Sequence, residues 1–453
     1  SSLSSSTGMR IVACAGVAAG VTMAGLGAGP AFAEEQQNDT LWIQAPYEQA
    51  VTVAPDGAAA GQDRDLLVGL YHDNDNFTVT DGRLTVDVSG LAGVAEVTWP
   101  ENCAPSGSTA VCDVSEIPTT LYGGREQVRL KVHAVAGAAA GAQGTVTYEA
   151  EATGGPEGRL VAPHESFATY VTVGSGPDLG IARPERVKGV EPGSTLDVPF
   201  AVTNTGDRPA EGFALEMWTT YGLDLTTKFP QCTSTALDGP GTLIHFTCAF
   251  DTVVQPGATV GLPAPLKLAV ARHALHERFD LSVRPGQGAT DLDHMDNYAG
   301  LDIEADNTAD FAVHGSTVNG KAGQTVTAGF RFENRGPAWV GNVRSGDPAA
   351  VLDFHVPEGT TVTDVPAGCQ PRSLDGGYYR QRLGAPRYAC DLAMYVMPKT
   401  KVPFSFQLRI DRVVPNATGT VVAVPGLWAG TQTFPFDPKP QNNSAEIVVN
   451  PGA

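Results

Sequence analysis

The sequence predicts an all-β chain: three tandem β-sandwich domains behind a secretory signal peptide. Three observations carry this. The 453 residues include 52 Gly and 33 Pro with only 17% charged residues, and no long amphipathic helical period is found, a mixture that favours short strands and many turns. Apolar and polar residues alternate with period two in runs bounded by Gly, Pro and Asn/Asp turns, as two packed antiparallel sheets require. A fixed order of features recurs 130 residues further along the chain, and domains of about 100–150 residues make three the expected number for this length.

The elements follow in order. "MRIVACAGVAAGVTMAGLGAGPAFAEE" has a cation at Arg10, an apolar run from Ile11 to Leu26, and Ala31 and Ala33 framing Phe32. It reads as a secretory signal peptide cleaved after Ala33, with residues 1–33 comprising upstream sequence and signal. Cys14 lies at the start of the apolar run, which is the wrong place for a lipoprotein acylation site, and leaves with the signal.

The second and third repeats, expected over 176–305 and 306–453, share one plan. "EPGSTLDVPFAVTNTGDRPAEGF" runs from a turn at Gly193 to Asn204, and "KAGQTVTAGFRFENRGPAWVGNV" runs from Gly323 to Asn334, both 130 residues on. A cysteine couple, a proline (Pro256, Pro398) and an alternating run ("GLPAPLKLAV", "KVPFSFQLRI") follow in each. Each closes on a polar knot and a strand, "DLDHMDNYAGLDI" and "DPKPQNNSAEIVV". A divergent first repeat is expected over 34–175. There Gly61 and Asn74 take the Gly and Asn positions, Pro118 and "EQVRLKVHAV" come after the cysteines, and "FATYVTVG" is the closing strand.

The six remaining cysteines fall into three couples, Cys103/Cys112, Cys232/Cys248 and Cys369/Cys390, spaced 9, 16 and 21 apart. Fifteen pairings exist for six cysteines, but in an exported chain the economical reading is one local disulfide per domain. No Cys-x-x-Cys spacing or clustered His suggests a metal, and no free thiol is left for redox or nucleophilic chemistry.

Residues 177–304 and 307–450 resemble the bacterial surface-protein conserved-repeat domains of unknown function and their CARDB-like relatives. The resemblance rests on "PGSTLDVPFAVTNTGD", on the Cys…Cys-then-Pro segment, and on the closing "DNYA" and "NNSA" strands. It implies immunoglobulin-like β-sandwiches and extracellular scaffolding or adhesion, without catalytic residues. The third copy departs from the pattern with "ENRGPA" in place of "TNTGD" and with a longer cysteine loop.

Polar clusters have competing readings. "TNTGDRP" reads as a corner, since Asn204 and Gly206 tolerate positive φ and Pro209 starts the next segment. "DNDNFTVTD" (73–81) and "DLDHMDN" (291–297) read as Asx turns between strands, with calcium ligation as the alternative. His273, His276 and Glu277 lack the His-Glu-x-x-His order of a zinc helix and a clear third ligand, and the sequons at Asn38, Asn76, Asn416 and Asn442 indicate surface exposure at most. No nucleophile elbow or phosphate-cradling loop is present. The formal charge of −20 argues against nucleic acid and anionic membrane as partners. No cofactor is expected, and no membrane span in the mature chain.

The sequence therefore reads as a non-enzymatic, extracellular, secreted or cell-wall associated protein of structural or adhesion type. The alternative is a carbohydrate or cell-wall-polymer binding module, with wall polymer, glycan or another surface protein as partner. Its site would be the loop 369–390, where Tyr378, Tyr379, Arg380, Arg382, Arg387 and Tyr388 interleave aromatic faces with guanidinium groups that grip carboxylate or phosphate.

Overall fold

A computed structural model describes residues 37–452 except 56, 120–126, 164–167, 183, 238–242, 294–296 and 430–431. The expected signal segment, Cys14, and His294 to Asp296 of the second polar knot lie outside the described residues. The described residues form strands, with one short 3-10 turn at Pro440–Asn442 and no α-helix. The architecture is all-β, built of several antiparallel and mixed sheets.

Buried apolar side chains gather in three large clusters, from Leu41 to Val173, from Leu179 to Ile303 and from Ala309 to Ile447. Each lies between stacked sheets, because period-two alternation turns one face of every strand inward. Val128–Ala134 shows it plainly: Val128, Leu130, Val132 and Ala134 are buried while Arg129 and Lys131 point to solvent.

In the first cluster a four-stranded sheet (Leu41–Gln44, Arg64–His72, Val128–Ala134, Ala95–Thr98) faces a seven-stranded one centred on Gln143–Thr153 and Thr80–Gly90. In the third, a four-stranded sheet built on Thr325–Pro337 and Lys401–Ile410 faces a six-stranded sheet that includes Val351–His355, Arg387–Asp391 and Ala417–Val424. The second has the same six-stranded partner, centred on Phe213–Thr220 and His276–Pro285, but its opposite layer is split into two three-stranded sheets. The split falls where Thr195–Val198 and Val202–Asn204 are separated by Pro199, which has no N–H to donate to a ladder. In all three, a strand near the start runs parallel to the closing strand: Glu48–Thr52 with Ala168–Gly174, Val187–Val190 with Tyr298–Ala305, and Ser316–Val318 with Ser444–Val449.

The three disulfides are Cys103–Cys112, Cys232–Cys248 and Cys369–Cys390. Each joins directly opposite residues of adjacent antiparallel strands at the sheet edge, so each staples a hairpin rather than bridging the two sheets.

The corner at "TNTGDRP" is built differently from the sequence argument. Neither Asn204 nor Gly206 is among the residues with positive φ. Asn204 ends its strand fully buried, and its side chain acts as a four-way bolt: Oδ1 accepts from the Asp178 and Gly206 N–H groups, and Nδ2 donates to the Arg208 and Val254 carbonyls. Gly206 is required by space, because a Cβ there would stand 2.1 Å from the Gly176 carbonyl oxygen. Asn334 repeats the bolt with Gly336 N–H and the Ala338 and Val396 carbonyls. Asn74 keeps only the local part: its Oδ1 accepts from Asn76 N–H while its amide donates to Gln37 and the Asn38 carbonyl near the surface.

Candidate binding surface

The expected site residues separate into inward and outward groups. Tyr388 is buried in the third core, its hydroxyl donating to the Arg382 carbonyl and accepting from Ala385 N–H, and burial pushes its phenol up from the ordinary value. It is not available to a ligand. Its strand explains why: Tyr388 lies two residues before the buried Cys390, hence on the same inward face. Tyr379 is half-buried against the same core, with its hydroxyl 3.4 Å from the Gly384 carbonyl.

Arg387 is a structural clamp. Its guanidinium grips Asp353 in two-pronged fashion, at 2.7 Å through both Nε and Nη2, and its Nη1 donates to the Leu374 carbonyl at 2.8 Å. Arg382 donates to the Val365 carbonyl and lies 3.8 Å from Asp364. Tyr378 is 83% exposed, and Arg380 is exposed and has no hydrogen-bond or ion-pair partner among the described residues. Between strands Cys369–Arg372 and Arg387–Asp391, the tip is held by Asp375, whose carboxylate accepts from Gly377 N–H and the Ser373 hydroxyl and is thereby kept below the usual range.

Sequence reasoning missed Trp428. It is 71% exposed and follows strand Ala417–Val424, yet it lies against this loop: a Cβ at Gly376 would meet Trp428 Cη2 and Arg387 Nη1, each at 3.3 Å. A lone Trp in the "PGLWAG" loop, some fifty residues downstream of the loop it touches, offers no periodic signal.

The other polar clusters are taken up by structure. Asp39 accepts from the Asp73 and Asn74 N–H groups and from His72, and Trp42 Nε1 donates to Asp73. Asp291 pins Leu179 N–H and Asp293 N–H, and Asp437 pins Phe311 N–H and Lys439 N–H in the same way. Burial, together with the neighbouring Asp178 carboxylate, pushes Asp291 up to about 7. Asp178 also takes Arg64 from the first cluster, and Arg64 donates onward to the Thr205 carbonyl.

Glu277 is fully buried. Its carboxylate accepts from the Thr220 hydroxyl, from the Gly222 and Leu275 N–H groups, and from Trp339 Nε1 at 2.7 Å, while burial pushes its pKa up. Trp339 belongs to the third repeat and Glu277 to the second, so this is a junction. Trp339 N–H also donates to the His273 carbonyl, and Tyr221 stacks on His273 and meets Trp339 edge-on. His273 and Glu277 therefore serve packing. His276 lines a cleft of about 660 Å³ beside this junction, together with Leu275, Val340, Val343, Arg344 and Phe436. Arg344 there pairs with Asp302, and Glu304 with Arg186. No group of three or more metal-ligating side chains stands together among the described residues.

No protein-family model matches the chain, and no curated protein matches it. Among solved structures it is similar to Dpr2 Ig1-Ig2 in complex with DIP-Theta Ig1-Ig3, at 9% identity over 91% of this chain and 99% of that one, with a TM-score of 0.25. It is similar to a putative membrane anchored protein from Corynebacterium diphtheriae at 8% identity over 91% and 95%, TM-score 0.17. The C-terminal domain of the Streptococcus agalactiae AgI/II polypeptide BspA matches at 13% identity over 61% and 100%, TM-score 0.18. None superposes closely.

Proposed function

We propose that this chain is a non-enzymatic secreted or cell-surface protein of structural or adhesion type. Its β-sandwich units, 34–175, 176–305 and 306–453, would follow an export signal and be joined as a stiff arm. The observation that carries this reading is the way consecutive cores are bolted by buried polar contacts: Arg64 to Asp178 and Thr205 at one junction, Glu277 to Trp339 at the next. Buried, hydrogen-bonded carboxylates at module junctions fix geometry, and both partners become costly to leave unpaired. Three disulfides support an oxidising, extracellular location. Glu277 and Asp291, two of the carboxylates that burial pushes up, are consumed in those junctions and turns, which supports a non-catalytic role.

Small-angle scattering tests it. The intact chain is expected to give an elongated, stiff particle, and Trp339→Ala a broader distribution of lengths at unchanged secondary structure; a compact globule insensitive to Trp339 would overturn it.

A second reading, binding of glycan or wall polymer through the loop 369–390, is favoured by the exposed Tyr378 and unpaired Arg380 on a disulfide-closed base. Pull-down on purified cell wall and polysaccharides separates the two, since a pure spacer stays in solution.

A further inference from the structure

The tip of the third cysteine loop is a rigid turn with an aromatic neighbour from elsewhere in the chain. Gly376 N–H donates to the Ser373 carbonyl, Ser373 N–H to the Gly377 carbonyl, and Arg372 pairs with Tyr378 across the turn. Arg387 clamps it by binding Asp353 and the Leu374 carbonyl together. Gly376 has φ of 88° and presents no side chain, so the Trp428 indole lies on the turn itself. Trp428 is held there because its neighbour Leu427 packs on Val351, Ala389 and Val424, a small apolar cluster of the six-stranded sheet.

Around this fixed turn, Trp428, Tyr378 and Leu374 are 71%, 83% and 66% exposed. Tyr379 packs inward between the exposed Tyr378 and Arg380, which leaves the free guanidinium two residues along the chain from the Tyr378 ring.

We propose that Trp428 and Tyr378 form a platform for the flat C–H faces of pyranose rings, with Arg380 taking a carboxylate, and that the ligand class is a uronate-bearing polysaccharide. This rests on the glycan-binding reading above and adds to it the platform residues and the ligand charge. Rigid aromatic side chains give large contact area at low entropic cost, and the clamped turn leaves little ordering to be done on binding. A sugar stacked in this way keeps its hydroxyls in water, which suits a patch with a polar rim. The −20 charge of the chain opposes a polyanion in general, so retention of one depends on local contacts such as the aromatic faces and this cation.

Affinity electrophoresis of the disulfide-intact chain through gels containing alginate, dextran or polyphosphate provides the test. Alginate is expected to retard the protein, dextran and polyphosphate far less. Trp428→Ala and Tyr378→Ala should each weaken alginate binding about tenfold or more, and Arg380→Gln should weaken it and reduce its salt dependence. Tyr47→Ala, a 69% exposed tyrosine of the first repeat, should change nothing. Alginate retardation unchanged by Trp428→Ala and Tyr378→Ala would overturn the platform while leaving glycan binding in place. Stronger retardation by polyphosphate or dextran would overturn the uronate assignment, and no retardation by any polymer would overturn both the platform and the glycan reading.

Discussion

The second and third repeats solve the same packing problem with different residues. Val198 pairs across the strands with Leu266, and 130 residues on Ala328 pairs with Phe406; all four are buried, so a smaller residue in one strand is matched by a larger one in its neighbour. The polar bolts hardly change: Asn204 and Asn334 each close a corner, and Asp291 and Asp437 each pin the first strand of their own sheet. What differs is the surroundings of those bolts. The Asp before the pinned residue, Asp178, reaches out to Arg64, whereas its counterpart Asp310 accepts from Asn442 within its own repeat. Apolar volume can be traded between neighbours as long as the sum is kept, but a buried amide with several partners has no substitute of the same shape and valence.

Three experiments sharpen that contrast. Phe406→Ala removes the large half of the Ala328–Phe406 pair and should cost about 3–5 kcal/mol in urea unfolding. Converting the pair to its counterpart, Phe406→Leu with Ala328→Val, should recover most of that loss, with the double variant more stable than Phe406→Leu alone; strict additivity would sink the volume-trading account. Asn204→Ala and Asn334→Ala should each cost at least about 1–3 kcal/mol through orphaned buried groups. Asn204→Ala should be the worse because it alone also holds a buried Asp178 N–H, and equal losses would remove that distinction.

The smallest effect concerns pH. The Asp291 carboxyl titrates near 7 in the folded chain against an ordinary value of 3.8, so folding takes up a proton between those values. Its stabilising contribution is complete below about pH 4 and is lost as pH rises through 7. The melting temperature of the second repeat should therefore fall from pH 5 to pH 9, and Asp291→Asn should flatten that slope; an unchanged slope in the variant would assign the effect to another group.

The sequence made the stapled hairpins legible because cysteine couples are local, and the corners because Gly and Asn recur at one offset. Burial of Tyr388 is also legible, in its period-two relation to Cys390, but the interleaved arginines place it among the candidate ligand-binding residues instead. Glu277 and Trp428 were not legible. A charged residue in "RHALHERF" reads as surface unless its Trp339 partner, 62 residues away, is known. An isolated Trp in a Gly/Pro loop says nothing of the turn it rests upon. Local chemistry shows in sequence, while long-range pairing of single side chains does not.

The parallel pairing of an early strand with the closing strand has a mechanical consequence. When tension is applied to the two ends of a repeat, Ser316–Val318 and Ser444–Val449 are drawn past one another along their length, so their hydrogen bonds are loaded together in shear instead of opening one at a time. The same holds for Glu48–Thr52 with Ala168–Gly174 and for Val187–Val190 with Tyr298–Ala305, placing a shear-loaded clasp in every repeat of the series. Under stretching the relevant quantity is the rate at which such a clasp gives way, and once it does, the hairpins closed by Cys103–Cys112, Cys232–Cys248 and Cys369–Cys390 keep their enclosed segments out of the extending chain.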